Sequence, residues 1–204
     1  MVEMHLLSVN ADFSYNAIYG LGVVTAFDRF MQGYRPEADK DSIFNALCQA
    51  IEQDPQLYRH DAEQLVQDAQ ALSLEQVLAQ LKAEGYSEDR LLFRTFQQIS
   101  SQPQLKYSRL LAIGLYTLLE TLAPERLKEE ESRSALLTEM SEPLGLLADK
   151  VKKDLELYRS NLDKMVQAQA VLEDILKADR KKREERQKAK DAIATPPSSS
   201  QESP

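Results

Sequence analysis

The residues able to do chemistry are few and far apart. The chain holds two histidines, His5 and His60, and one cysteine, Cys48. A di-iron helical bundle needs two Glu-x-x-His pairs and two further glutamates. Three residues before the histidines stand Val2 and Leu57, so neither makes the motif. One cysteine and two distant histidines do not supply the ligand set of a zinc site either. Nucleophilic catalysis would pair Cys48 with a histidine. Cys48, however, falls on an apolar stripe with Phe44, Leu47 and Ile51, and reads as a small buried hydrophobe. His60, between Gln56 and Gln64 on the polar side of its segment, reads as solvated. Gly20-Leu21-Gly22 lacks a third glycine and follows no strand pattern, so it is not a phosphate loop. Small residues there read instead as permitting close helix packing. Glu129-Glu130-Glu131 is a charge run of the kind that covers a solvated face. No catalytic residue, metal ligand or cofactor site emerges, and the chain reads as a non-enzymatic protein.

Two groups of residues are left as interaction candidates. The first is the basic stretch from Lys177 to Lys190: Lys177, Arg180, Lys181, Lys182, Arg183, Arg186, Lys188 and Lys190 against Asp179, Glu184 and Glu185. Its plain reading is a solvated helix end whose cations suit the negative end of the helix dipole. Its functional reading is contact with anionic lipid head groups or an acidic partner. Nucleic acid is the weakest option, since no aromatics interleave with the basic residues for stacking. The second group is a polar stripe of Thr25, Asp28, Arg29 and Gln32 on an otherwise apolar helix. It reads either as an exposed contact face or as an internal, hydrogen-bonded network.

The elements that carry these residues follow from composition and period. Of the 204 residues 43% are hydrophobic, with 6 Gly and 8 Pro. Leu, Ala, Gln, Glu and Lys outweigh β-branched types, which favours helix over strand. The expected fold class is all-α: a compact helical bundle with a long, projecting, coiled-coil-like C-terminal helix. Residues 1–9 read as the end of a helix, and Asn10-Ala11-Asp12 as a turn. The segment from Asn16 to Gln32 is apolar around most of its girth and reads as a central helix. Asp39 or Asp41 is expected to cap the next helix, whose buried stripe is Ile43, Phe44, Leu47, Cys48 and Ile51. Asp54-Pro55 starts another, and Ser73 with Gln76 forms a capping box for a short one. Gly85 is expected to stop it, Ser87-Glu88-Asp89 to open the next, and Pro103 to break the chain. Residues 105–122 read as the second central helix, and residues 125–140 as a charged helix or loop.

Residues 144–190 have no proline and no glycine beyond Gly145. A heptad runs through Leu155, Tyr158, Leu162, Met165, Gln169, Leu172 and Leu176, with Leu144, Leu147 and Val151 joining after a four-residue stutter. One helix of that length spans about 70 Å, so part of it is expected to project or pair. The predicted organisation is a bundle over residues 1–142, the long helix over 143–192, and a disordered tail over 193–204.

Charge follows the same division. Residues 1–176 carry 17 Lys+Arg and 28 Asp+Glu; residues 177–204 carry 8 and 5. An acidic body argues against a nucleic-acid surface on the bundle. A single cysteine excludes an intramolecular disulfide. No run reaches the ~18 apolar residues of a membrane span, and the first residues lack the order of a signal peptide.

One long stretch is distinctive. His5-Leu6-Leu7-Ser8-Val9-Asn10, then the run from Ile18-Tyr19-Gly20-Leu21-Gly22 through Phe27-Asp28-Arg29-Phe30 to Gly33-Tyr34, closely resembles the thylakoid formation family. Ile43-Phe44-Asn45-Ala46-Leu47 and Asp54-Pro55 extend the match, which covers roughly residues 3–175. The resemblance implies a protein of cyanobacteria or plastids that supports thylakoid membrane biogenesis and photosystem II repair. It implies association with the membrane-bound FtsH protease complex and with the anionic thylakoid surface. It further implies a peripheral location on the cytoplasmic or stromal side and no enzymatic activity. With the heptad, the expectation is a monomer or a weak coiled-coil dimer that binds no nucleic acid. Members of the family usually have a further helical segment before the Val-Glu-Met-His-Leu stretch, and usually carry Asp-Pro where Asn16-Ala17 stands here. The second departure changes a helix start and little else.

Overall fold

Helix caps written in the sequence set most of the element boundaries. A computed structural model describes residues 2–83, 89–102 and 104–194, with side chains through residue 186. Gly85, the Ser87-Glu88 opening, Pro103, the side chains of Lys188 and Lys190, and the tail from residue 195 lie outside the described residues. Asn16 accepts a hydrogen bond from the Tyr19 amide at 2.9 Å and starts α2 (Ala17–Phe30). Asn16 therefore fills the capping role that an aspartate would fill. Asp54 caps α4 (Pro55–Gln70) through the Gln56 amide at 2.9 Å. Ser73 and Gln76 form the reciprocal capping box of α5 (Leu74–Lys82). Ser108 caps α7 (Arg109–Leu122) through the Leu111 amide at 3.1 Å. The remaining helices are α1 (Val2–Ser8), α3 (Asp39–Gln49), α6 (Leu91–Ser100), α8 (Glu130–Ser141) and α9 (Ala148–Ala194). The described residues contain no strand, and the fold is an all-α bundle with a long C-terminal helix.

Three expectations need correction. Neither Asp39 nor Asp41 caps α3: its cap position is Ala38, with no side-chain bond, and both aspartates sit in the first turn. There they still face the positive end of the dipole. The sixth helix opens at Leu91 rather than at the Ser87-Glu88-Asp89 stretch, with Arg90 at the cap position and no local side-chain cap. Its cap comes from another helix: Asp68 of α4 accepts from the Leu92 amide at 3.1 Å, with the Arg90 guanidinium 3.6 Å away. The last correction is Leu147, which is 75% exposed, while Leu144 and Leu146 are buried. Gly145 adopts the left-handed conformation, φ 69°. That reversal turns Leu146 inward in place of Leu147.

The core is organised about α2 and α7, which lie against each other along most of their length. Gly22 and Gly114 make this possible. A Cβ on Gly22 would overlap the carbonyl oxygen of Leu110, and one on Gly114 would overlap that of Ile18. Around this pair pack Tyr58 and Leu65 of α4, Phe96 of α6, and Leu136 and Met140 of α8, all buried. Val151, Leu155 and Tyr158, from the first turns of α9, belong to the same core. The chain divides into two units, Met1–Leu162 and Asp163–Pro204. The second unit begins inside α9. Its described residues include exposed Val166, Val171, Leu172, Ile175 and Leu176.

Candidate functional site

The polar stripe of α2 is bonded to neighbouring helices yet partly open to solvent: Thr25 and Arg29 are half-buried, Asp28 and Gln32 exposed. Thr25 and Thr117 meet hydroxyl to hydroxyl at 3.2 Å. Arg29 forms an ion pair with Glu120 of α7, both about a third exposed. Asp28 accepts both of its bonds from the Arg59 guanidinium of α4, at 2.8 and 2.9 Å. That guanidinium also lies 4.3 Å from the centre of the Phe44 ring, a cation–π contact joining α4 to α3. Asp28 and Arg29 thus tie α2 to α4 and α7, while the Asp28 side chain stays 51% exposed and that of Arg29 32%. Arg59 carries no local signal in the sequence, because its partners lie on two other helices.

A second network starts at the N-terminus of α2. The Tyr15 hydroxyl donates to Asp61 at 2.8 Å, and the rings of Phe13, Tyr15, Tyr19 and Tyr58 meet edge to face. Burial pushes the hydroxyls of Tyr15, Tyr19 and Tyr58 up, Tyr58 to about 12. For Tyr15 the bond to Asp61 adds to the shift. Tyr107 is raised in the same way, by burial and then by donating to Asp154 at 2.9 Å. An unfolded tyrosine titrates near ~10. The stabilisation from these groups is therefore complete below pH ~10 and is lost as pH rises through the folded values. In an alkaline titration, phenolate absorbance of the buried set and loss of helical circular dichroism should rise together, at about pH 12 and above. Full ionisation near pH ~10 with intact helix would contradict this packing.

Cys48 is fully buried, and burial raises its thiol, which disfavours the thiolate a nucleophile needs. His60 is exposed on α4. Among the described residues no group of three or more His, Cys, Asp and Glu is placed to hold a metal ion. No described helix is long and apolar enough to cross a membrane.

The basic residues Lys177, Arg180, Lys181, Lys182, Arg183 and Arg186 all stand exposed on the second unit's stretch of α9. Lys177 reaches Glu173 at 3.8 Å and Asp174 at 3.9 Å, separations at which exposed pairs contribute little. The same stretch carries exposed Val166, Leu172, Ile175 and Leu176. This combination of apolar and cationic side chains is a candidate interaction surface.

Sequence reasoning missed a cavity in the first unit. It holds about 400 Å³ between α2, α3, α7 and the start of α9, with α1 at one end. Val23 and Phe27 of α2, Phe44 and Cys48 of α3, and Ile113 of α7 line it. Only half of its signal is legible in the chain: the stripe Ile43, Phe44, Leu47 is apolar, but Ile43 and Leu47 remain partly open.

Comparison with known proteins fits this description. The family model described as thylakoid formation protein matches residues 1–187. "Protein Thf1" of Trichormus variabilis is 58% identical over 198 residues, covering 97% of this chain and 85% of that protein. "Protein Thf1" of Synechocystis sp. (strain ATCC 27184 / PCC 6803 / Kazusa) is 48% identical over 197 residues, covering 97% and 80%. A solved structure of Psb29 superposes with a TM-score of 0.77 at 43% identity, covering 89% of this chain and 84% of that one. The chain belongs to the thylakoid formation protein family.

Proposed function

We propose that this chain is a non-enzymatic factor for thylakoid membrane biogenesis and photosystem II repair that acts by associating with the membrane-bound FtsH protease complex. In this reading it works from the membrane periphery, on the cytoplasmic or stromal side, as a monomer or a weak coiled-coil dimer. The observation that carries the reading is the family match over residues 1–187. It is supported by the exposed apolar and basic side chains on α9 beyond Leu162, which suit a helical partner better than chemistry.

The test is a pull-down from solubilised thylakoid membranes, comparing the full chain with one ending at Leu162. The cut belongs there because Val151, Leu155 and Tyr158 are core residues; a shorter chain would lose its fold with its helix. Recovery of FtsH by the full chain alone is the expected result and places the contact on α9. Equal recovery by both chains moves the contact to the bundle. Recovery by neither, with both helical by circular dichroism, removes the protease from the proposal.

The exposed basic side chains favour a second reading, attachment to anionic lipid through residues 177–186. Each basic residue near such a surface contributes about 1 kcal/mol. Changing Lys177, Arg180, Lys181, Lys182, Arg183 and Arg186 to glutamine should then abolish binding to vesicles containing phosphatidylglycerol. Added salt should weaken the unaltered chain in the same assay. Binding that survives the six changes excludes attachment by this stretch.

A further inference from the structure

The first unit contains an apolar cavity that the protease reading does not use. Phe30 and Leu157, at the rim, are 45% and 47% exposed. The interior is a wall of Val23, Phe27, Phe44 and Ile113. Charged groups gather at one end, and Asn161 lines the cavity two turns of α9 beyond Asp154. Glu3 of α1 pairs with Arg109 of α7 at 3.3 Å and also accepts the Arg109 backbone amide at 2.7 Å. Beside them Tyr107 donates to Asp154 at 2.9 Å, and the Lys150 ammonium lies 4.6 Å from the Tyr107 ring centre. Glu3, Arg109 and Asp154 all line the cavity. Among the cavity-lining residues the cluster sets Glu3 and Asp154 beside Arg109, while Lys150 lies over the Tyr107 ring outside the lining.

We propose that this cavity binds one acyl- or isoprenoid-type chain of an amphipathic lipid, with an uncharged, hydroxyl- or carbonyl-bearing head at the Glu3–Arg109–Asp154 end. The separation of apolar wall from polar end matches the two parts of such a molecule, and the volume lies within the range of small-molecule sites. A partner helix would lay a repeating apolar face into the groove and leave the Glu3–Arg109–Asp154 end without a matching head group. The mixed-charge cluster selects the head group. Its carboxylates accept from hydroxyls and its guanidinium donates to carbonyls, while a charged head would meet a like charge beside every opposite one. The inference stands independently of any association with FtsH.

Cys48 provides the readout, because it lines the cavity and is the chain's one cysteine. The delipidated full chain is titrated with a pyrene-labelled monoacylglycerol below its micelle concentration, with monoolein as competitor. Methyl methanethiosulfonate then reports access to Cys48. The expected result is saturable binding that monoolein displaces, with slower modification of Cys48 in the bound state. Ala26→Trp, which fills the cavity, and Leu157→Glu, which places a charge at its rim, should each weaken binding by about tenfold, equivalent to about 1.4 kcal/mol. Oleate and oleylamine should compete less well than monoolein. Circular dichroism checks both variants, and the exposed Leu157 site keeps the test open if Ala26→Trp fails to fold. Absence of saturable binding, or unchanged binding by a folded Leu157→Glu chain, overturns the proposal. So does an amphipathic helical peptide that displaces the probe and protects Cys48 where monoolein does not, which would assign the cavity to a helix.

Discussion

Replacing Gly22 with alanine is expected to lower the unfolding free energy by about 3 kcal/mol or more, at the upper end of overpacking effects. The added methyl would overlap the backbone carbonyl of Leu110, with the Gly114 backbone close behind it. Backbone in a helix does not rotate out of the way as a side chain would, so α2 and α7 must move apart. Their separation would loosen contacts of Ile18, Leu111, Leu115 and Leu118, all buried in the same core. Gly114→Ala should act alike, because its methyl meets the carbonyl of Ile18. The double variant should lose less than the sum of the two, since one separation relieves both clashes. Urea denaturation followed by circular dichroism measures all three. A loss below about 1 kcal/mol for Gly22→Ala would mean that the two helices are not held this closely.

Asp68→Ala should cost about 2 kcal/mol by a different route. Asp68 is 5% exposed and accepts the Leu92 amide at the start of α6. Leu92 is itself fully buried, so water has little access to its N–H once the carboxylate is gone. The unsatisfied donor, the lost cap and the unpartnered Arg90 act together. Asp68→Asn keeps an acceptor and should recover part of the loss. Hydrogen exchange at the Leu92 amide provides the local readout: faster in Asp68→Ala, close to unaltered in Asp68→Asn. Equal losses in the two variants would instead assign the effect to the charge shared with Arg90 and the helix dipole.

These two positions mark where local signals end. The caps Asn16, Asp54, Ser73 and Ser108 each satisfy an amide two or three residues on. Such bonds form within one turn of chain, so residue type and spacing are enough to find them. The cap of α6 comes from 24 residues upstream, and a pattern that looks only along the chain places that helix start too early. The polar stripe of α2 shows the same limit. Its spacing is plain in the sequence, but whether Asp28 and Arg29 face solvent or other helices depends on Arg59 and Glu120, which only folding brings near.

The sequence alone determined the helical class, the two central apolar helices and, through the run from Ile18 to Tyr34, the family. Each of these is set by residue type or by a period within one element. Tertiary structure decided the α2–α7 contact through Gly22 and Gly114, the remote cap at Asp68, the pairing of Arg59 and the cavity beside Phe44. The reason is physical: a close approach, a shared carboxylate and a concave volume are properties of several helices at once, and helix periodicity carries no information about which neighbour each face will meet.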